Sequence, residues 1–240
     1  AELNILDGVT ASTTELNLLS GQTSLGALSL NGLSDVLVEG SGDTTSIYVG
    51  NSPSSTNSAN ANYAFGSNAL NSVTTGDYNI AIGPNALQNL TNKAFNIGIG
   101  WNCLKNVSEA GNTAVGVDSM ESCTSGGYNS AFGSQALRYV TTGGYNVGIG
   151  RMAGDVITTG SNNVIIGFEA DSSANNSTNQ IVIGKGATGQ ADNSVTLGNE
   201  DVTAVYMAQD SGATVYCGGL NIGGTDLTST ITELNILDGV

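Results

Sequence analysis

The sequence predicts an all-β protein: a parallel β-roll, or β-solenoid, of about nine rungs of 14–17 residues spanning residues 61–200. Glycines recur at gaps of 16 or 17 residues, with a last gap of 14. Each glycine ends a short phrase such as Asn-Ile-Ala-Ile-Gly at 79–83, in which bulky and small residues alternate as in a β-strand. The nine glycines are Gly66, Gly83, Gly100, Gly116, Gly133, Gly150, Gly167, Gly184 and Gly198.

The strand of each rung has two different faces. We number each rung from its glycine, which is position 0. Positions −1 and −3 are mostly bulky and apolar, position −2 is usually Ala or Gly, and position −4 is usually Asn. The five positions before the nine glycines contain 45 residues and no charge, so we expect both faces to be hidden from water. Our interpretation is that the bulky face fills the coil's own core. The small, Asn-bearing face then presses against an identical chain, with Asn side chains hydrogen-bonded from rung to rung.

The rest of each rung is predicted to return the chain to the next strand. The glycine permits a sharp corner or a positive φ. The segment 68–74, which recurs at 85–91, 102–108 and 135–141, is predicted to form one helical turn or a bent strand. Thr-Thr-Gly at 74–76 then makes a turn. Nine rungs at a spacing of about 4.8 Å would make a rod about 40 Å long.

The segments before the solenoid differ from it in composition. Residues 1–21 contain two copies of Glu-Leu-Asn-(Ile/Leu)-Leu-(Asp/Ser)-Gly and are predicted to form short helical, chain-associating repeats, with a loop as the alternative. Residues 22–60 are predicted to be a β connector with strands at 36–38 and 46–49.

The segments after the solenoid repeat this organisation. Residues 201–224 are predicted to be a second β connector, with Val202, Val205 and Val215 as strand anchors. Residues 225–240 are predicted to start the next helical repeat, because Glu2 to Val9 returns unchanged at their end. We therefore expect the chain to be cut from a longer repetitive shaft.

Composition excludes several classes of function. The chain has 20 acids and 5 bases, a net charge of −15, so we expect no nucleic acid and no anionic membrane as a partner. The sequence has no run of 18 apolar residues, so we predict no membrane insertion. The absence of histidine excludes His-based acid–base catalysis and most zinc catalysis. We therefore predict no enzyme, no cofactor and no metal site.

The cysteines are not predicted to bind a metal or to form a disulfide. Cys103 takes a slot that other rungs fill with Ala, and Cys123 takes one that they fill with Val or Leu. Both are therefore predicted to be small buried apolar residues. Neither burial nor a bonding partner is predicted for Cys217.

Two local patterns are interpreted as structural. Gly148-x-Gly150-x-x-Ala153 mimics a dinucleotide fingerprint but belongs to the repeat and precedes no long helix. Asp155, Glu169 and Asp171 are predicted to be solvated turn acids, with a calcium contact at Asp171 as the alternative. Carboxylates from two chains that meet and cleave a glycan stay open as a further alternative.

The phrases identify a resemblance to two groups of fibrous proteins. Asn-Ser-Val-Thr-Leu-Gly at 193–198 ends a 14-residue rung that resembles head repeats of trimeric autotransporter adhesins. The 17-residue rungs, together with the phrases at 2–10, 33–39 and 46–51, resemble tail fibres of phages that infect marine cyanobacteria.

The resemblance implies a homotrimer in a virion, a structural and adhesive fibre segment that projects toward the host. Its implied partners are adjoining fibre or baseplate proteins and a host surface glycan or protein. The alternatives are a bacterial surface adhesin head and, less favoured, a glycan-cleaving tailspike.

One column of residues is a candidate contact surface for the receptor. Position +1 contains the only Trp and two of the five bases, and such residues are favoured binding anchors. The candidate residues are Trp101, Arg151, Phe168 and Lys185. The alternative is that Trp101 and Phe168 cover a groove between subunits. An aromatic column at position −5 is interpreted as packing; its members are Tyr78, Phe95, Tyr128 and Tyr145.

Overall fold

The protein is a parallel β-solenoid of nine turns, as the sequence predicts. A computed structural model describes residues 36–39, 46–50, 53, 58–206, 221–222 and 225–226. Eleven strands form one sheet in chain order, and the described residues contain no helix. The nine solenoid strands, which pair parallel with one another, are β3 (Tyr63–Phe65), β4 (Ile80–Ile82), β5 (Ile97–Ile99), β6 (Thr113–Val115), β7 (Ser130–Phe132), β8 (Val147–Ile149), β9 (Val164–Ile166), β10 (Ile181–Ile183) and β11 (Val195–Leu197).

The two strands predicted before the solenoid are present. β1 (Val36–Glu39) pairs antiparallel with β2 (Ser46–Val49). β2 pairs parallel with β3, so it joins the connector to the first rung. The helical segment predicted at 1–21 lies outside the described residues.

The chain divides after Asp201 into a second unit, residues 202–240. Its described part contains one antiparallel pair, β12 (Asn221–Ile222) with β13 (Thr225–Asp226). Residues 202–206 are exposed and form no strand, so Val202 and Val205 do not anchor one. Val215, Cys217 and the repeated phrase at the end of the chain lie outside the described residues.

The residues after each glycine form consecutive turns instead of the predicted helical turn or bent strand. Leu87 and Leu104 have φ values of 51° and 50°, in the left-handed region. Backbone bonds continue between rungs through these turns: Leu87 N donates to Cys103 O at 3.0 Å, and Thr74 N donates to Thr91 O at 2.8 Å. The whole circumference of the coil is therefore hydrogen-bonded to the next turn.

The glycine column is required by a close approach between rungs. From Gly66 to Gly184 the rung glycines have φ values between 121° and 145°. A Cβ on Gly83 would lie 2.7 Å from the carbonyl oxygen of Gly100 in the next rung. Glycine is therefore needed for both its backbone freedom and its lack of a side chain.

The predicted orientation of the strand faces is wrong. Ala81 and Asn79, on the face expected to contact another chain, are 0% exposed and form part of the coil's own core. Ile82, which was expected in that core, is 41% exposed. The same reversal holds along the solenoid, where positions −2 and −4 point inward and positions −1 and −3 point outward.

Leucines of the turn segment explain this orientation. They occupy position +4, are fully buried and take up the space that faces the strand. A Cβ on Gly98 would lie 3.2 Å from Leu87 Cγ, and a Cβ on Gly148 would lie 2.7 Å from Leu137 Cγ. The inner strand position must be small because the leucine across from it is large.

The asparagine column is an internal hydrogen-bond ladder. Asn129 Nδ2 donates to Gly143 O at 3.0 Å, and Asn129 Oδ1 accepts from Asn146 N at 2.8 Å and Asn146 Nδ2 at 3.1 Å. The predicted bonding from rung to rung is confirmed, but it lies inside one coil. Its seven members, all 0% exposed, are Asn62, Asn79, Asn96, Asn112, Asn129, Asn146 and Asn163.

Candidate functional site

The outward side of the solenoid strands is a largely apolar surface, interrupted at position −3 by Thr113 and Ser130. We call positions −3 and −1 of β3 to β11 the outer sheet face. It contains no charged residue. Nine three-residue strands spaced by about 4.8 Å cover roughly 400 Å². The largest apolar patch of a monomeric protein is about 300–600 Å² and is often functional, so this regular patch is a candidate interaction site. Its most exposed apolar members are Tyr63, Phe65, Ile82, Phe132, Ile149, Ile181, Ile183, Val195 and Leu197.

An aromatic ladder flanks one side of the outer sheet face. It consists of the four aromatic residues at position −5, two residues before the strand begins. Tyr78 and Phe95 stack with centroids 5.3 Å apart, and Tyr128 and Tyr145 stack at the same distance. All four are 50–63% exposed. Their packing along one coil is thus confirmed, although half or more of each side chain stays uncovered.

The backbone of the aromatic ladder is strained and interrupted. Its four residues have φ values of 56–63°, a region that bulky residues rarely adopt. Between the two stacked pairs stands Gly111, where a Cβ would lie 2.6 Å from Tyr128 Cδ1. The Tyr128 ring therefore leans over the place where a side chain of residue 111 would stand.

The predicted contact residues lie on the opposite flank, at position +1. Arg151 and Phe168 are brought together: the guanidinium lies 5.3 Å from the ring centroid. Arg151 Nη1 also pairs with Glu169 Oε1 at 3.0 Å. Lys185 is exposed one rung beyond Phe168, whereas Trp101, 51% exposed, lies three rungs before Arg151. The four residues form one column and not one compact pocket.

A carboxyl pair lies in the turn segments of two consecutive rungs. The carboxyls of Asp155 and Asp171 interact with each other and are partly buried, whereas they were predicted to be solvated turn acids. Partial burial, followed by the nearby Asp155 carboxyl, raises the pKa of Asp171 to about 6, although the Val156 N–H that donates to it acts the other way. Burial and Glu169 raise the pKa of Asp155. In the described part of the chain, no three or more His, Cys, Asp or Glu side chains are placed to hold a metal ion.

The two described cysteines are buried, as predicted. Cys103 and Cys123 are 0% exposed, and both are free thiols. Burial raises the pKa of each thiol to about 12, so neither is a reactive nucleophile.

Concave sites on the described surface are open depressions. The larger, about 560 Å³, lies at the last rungs beside Thr196, Asn199, Glu200 and Asp201. The smaller, about 340 Å³, borders Tyr128 and Tyr145 of the aromatic ladder.

Comparisons with protein-family models, with curated proteins and with solved structures gave no match for this chain. Among the described residues, no helix has the length and apolar character needed to cross a membrane. Function is therefore inferred from the geometry of the solenoid itself.

Proposed function

We propose that this chain is a structural and adhesive segment of a trimeric tail fibre in a virion, in which three solenoids run parallel around one axis. The observation that carries the proposal is the outer sheet face, which is uncharged along all nine rungs and largely apolar. Apolar surface of this extent is stabilised by burial against a partner. The partner is a second and a third copy of the same chain.

The regular rise of the rungs indicates that the partner of the outer sheet face is an identical chain. A surface built at a fixed rise of about 4.8 Å is matched row by row only by another surface of the same rise. An identical coil supplies that rise over the same nine rungs. The absence of charge on the outer sheet face means that equal residues meet at equal heights without like-charge repulsion.

The outer sheet face and its flanks set the size of the interface. With the flanking columns at −5 and +1, the face is about 15–20 Å wide and roughly 40 Å long, or about 600–800 Å² for each chain. In a trimer this area is divided between two neighbours, about 300–400 Å² each, which is less than the roughly 800 Å² per partner of a stable pairwise interface, so the assembly depends on all three contacts forming together. Closed cyclic symmetry also explains why such a face does not lead to open-ended association.

A fibre role follows from the mechanics of the coil. Each rung is bonded to the next through the strands and the turns. The internal asparagine ladder adds side-chain bonds along the same axis. A rod of this kind is stiff and projects a distant end toward a target. The role is non-enzymatic, and its partners are adjoining fibre or baseplate proteins and a host surface glycan or protein.

A bacterial surface adhesin head is the second candidate. The observation that favours it is the last rung, in which β10 and β11 pair in register across a spacing of 14 residues. This spacing is the one that resembles adhesin head repeats.

Antibodies raised against residues 58–206 separate the two candidates. For a tail fibre, immunogold particles decorate the tails of purified virions, and the recombinant chain reduces phage adsorption to the host. Labelling of a bacterial outer surface, with no label on virions, would contradict the proposal. New reducing ends after incubation with host polysaccharide would contradict the non-enzymatic role.

A further inference from the structure

The two flanks of the outer sheet face carry different residues. One flank is position −5, which contains the aromatic ladder and no charge in any rung. The other flank is position +1, which contains the exposed Trp101 and Phe168 and the bases Arg151 and Lys185. The two columns stand two residues before and two residues after each strand, so they border the face on its opposite sides.

Cyclic symmetry determines which flanks meet. When copies are related by rotation about an axis parallel to the solenoid, the −5 flank of one copy faces the +1 flank of the next at the same rung. When two copies are related by a two-fold axis perpendicular to the solenoid, like flanks meet and the rung order is reversed. The flank contacts therefore report the symmetry of the assembly.

We infer that in the proposed trimer the aromatic ladder of each chain docks on the position +1 column of the next chain, rung against equal rung. This inference rests on the proposed function, since it takes the parallel trimer as given. The partner is a second copy of this chain, and the contacts are aromatic–proline, aromatic–aromatic and cation–π.

Chemical complementarity at equal rungs carries the inference. In the rungs of Gly83, Gly100 and Gly150, the pairs are Tyr78 with Pro84, Phe95 with Trp101 and Tyr145 with Arg151. The Phe95–Trp101 and Tyr145–Arg151 pairs are favourable for an aromatic face or edge, and the Tyr78–Pro84 pair is an apolar contact. The fourth ladder residue, Tyr128, faces Ser134 in the rung of Gly133. In the rung of Gly116 the ladder has Gly111 and the opposite flank has Val117, which is 44% exposed.

The charges at position +1 are also compatible with these flank contacts. Both bases of the +1 column meet uncharged residues, Arg151 facing Tyr145 and Lys185 facing Asn179. Arg151 keeps its pair with Glu169 of its own chain at 3.0 Å, so its charge is neutralised where the flanks meet. Trp101, Phe168, Arg151 and Lys185 are then intersubunit residues, not a lateral receptor patch.

Engineered disulfides test this arrangement. In a background with Cys217→Ser, the variant Tyr145→Cys with Arg151→Cys places one thiol on each flank of the same rung. Mild oxidation is expected to convert most of the chain into a covalent trimer on a denaturing gel. Within one chain these two positions lie across the extended strand, beyond the Cα separation of about 7 Å that a disulfide spans. Cys103 and Cys123 are buried and do not compete.

Matched controls exclude nonspecific oxidation. Tyr145→Cys with Lys185→Cys moves one thiol two rungs away and is expected to stay monomeric on the gel. Each single variant is expected to do the same, and a dimer from a single variant would show that like flanks meet. The pair Phe95→Cys with Trp101→Cys tests a second rung if the first variant folds poorly.

The native mass distinguishes a failure of the flank contacts from a failure of the trimer itself. A native trimer without same-rung crosslinks overturns the flank contacts and leaves the trimer standing. A native monomer overturns both. Crosslinks at unequal rungs, with any native mass, overturn the flank contacts.

Discussion

The two faces of the same strands differ in what hides them. The inner face carries Ala, Gly and Asn and is completely covered by leucines and by the asparagine ladder of one coil. The outer face carries Ile, Val and Phe, which are half-buried or exposed. Small residues therefore mark the core of this solenoid, because the bulky side chains that fill it come from the opposite layer.

Residues near the end of the regular rungs support this explanation. At position +4 the leucine is replaced by Gly154, and the inner strand residue that faces it is Ile165, not Ala or Gly. A Cβ on Gly154 would lie 3.5 Å from Ile165 Cγ1. The volume has moved from one layer to the other while the core stays filled.

The largest effect is expected from the inner polar ladder. Asn129→Ala removes hydrogen bonds to Asn112 and Gly143 and leaves the buried Asn146 N–H without its acceptor. We expect the free energy of unfolding to fall by about 3–5 kcal/mol. The measurement is chemical denaturation followed by circular dichroism. The control is Asn106→Ala, at an exposed asparagine, with an expected change below about 1 kcal/mol. Equal effects at the two sites would contradict the internal ladder.

Substitutions inside the coil should change its stability, whereas substitutions on the outer sheet face should change its assembly. Leu137→Ala leaves an internal cavity and is expected to lower the free energy of unfolding by about 2–5 kcal/mol while the native mass stays that of a trimer. Ile149→Lys places a charge on the outer sheet face and is expected to yield a folded monomer, because three desolvated ammonium groups would meet at one height. Native mass spectrometry and thermal melting check both variants. A trimer from Ile149→Lys would contradict the role of this face.

A smaller effect tests the volume exchange directly. Gly148→Ala is expected to destabilise by about 1–3 kcal/mol, since its Cβ would lie 2.7 Å from Leu137 Cγ. Combined with Leu137→Ala, the same change is expected to cost less, with a coupling of at least 0.5 kcal/mol in a double-mutant cycle. Additive effects would show that the two layers do not share one volume.

The smallest effect concerns the acid pair of the turn layer. The folded-state pKa of Asp171, about 6, lies above its ordinary value of 3.8. Its contribution to stability is therefore present in full below about pH 4 and is lost as pH rises through 6. Asp171→Asn is expected to be more stable than the wild type at pH 7.5 by about 1 kcal/mol after allowance for solvent screening, and equal to it near pH 4.

Melting at both pH values checks this, and Asp201→Asn controls for the loss of one charge. A difference between Asp171→Asn and the wild type that does not change with pH would contradict the shared environment of Asp155 and Asp171.

Much of the fold could be predicted because the repeat determines the number of rungs and the positions of the strands. The period of the glycines gave the number of rungs, and alternation before each glycine located the strands. The slots of Cys103 and Cys123 gave their burial. Alternation assigns residues to two faces but does not say which face is inside, and both faces lack charge. The signal that decides it was the exchange of size between Gly154 and Ile165, which requires knowing that these positions face each other.

The candidate site was predictable only in part. The column at position +1 was predicted from the sequence. That Arg151 contacts Phe168 while Trp101 lies apart could not be predicted, because it depends on the geometry of the rungs. The outer sheet face was missed because bulky apolar residues are ordinarily core residues. The interaction between the Asp155 and Asp171 carboxyls was missed because these residues occupy different positions of two rungs.

In the proposed trimer, two further copies of the chain cover the outer sheet face. Native mass spectrometry of residues 1–240 measures this assembly. We expect a single species of three times 24.1 kDa. A folded species of 24.1 kDa that persists at micromolar concentration would contradict it.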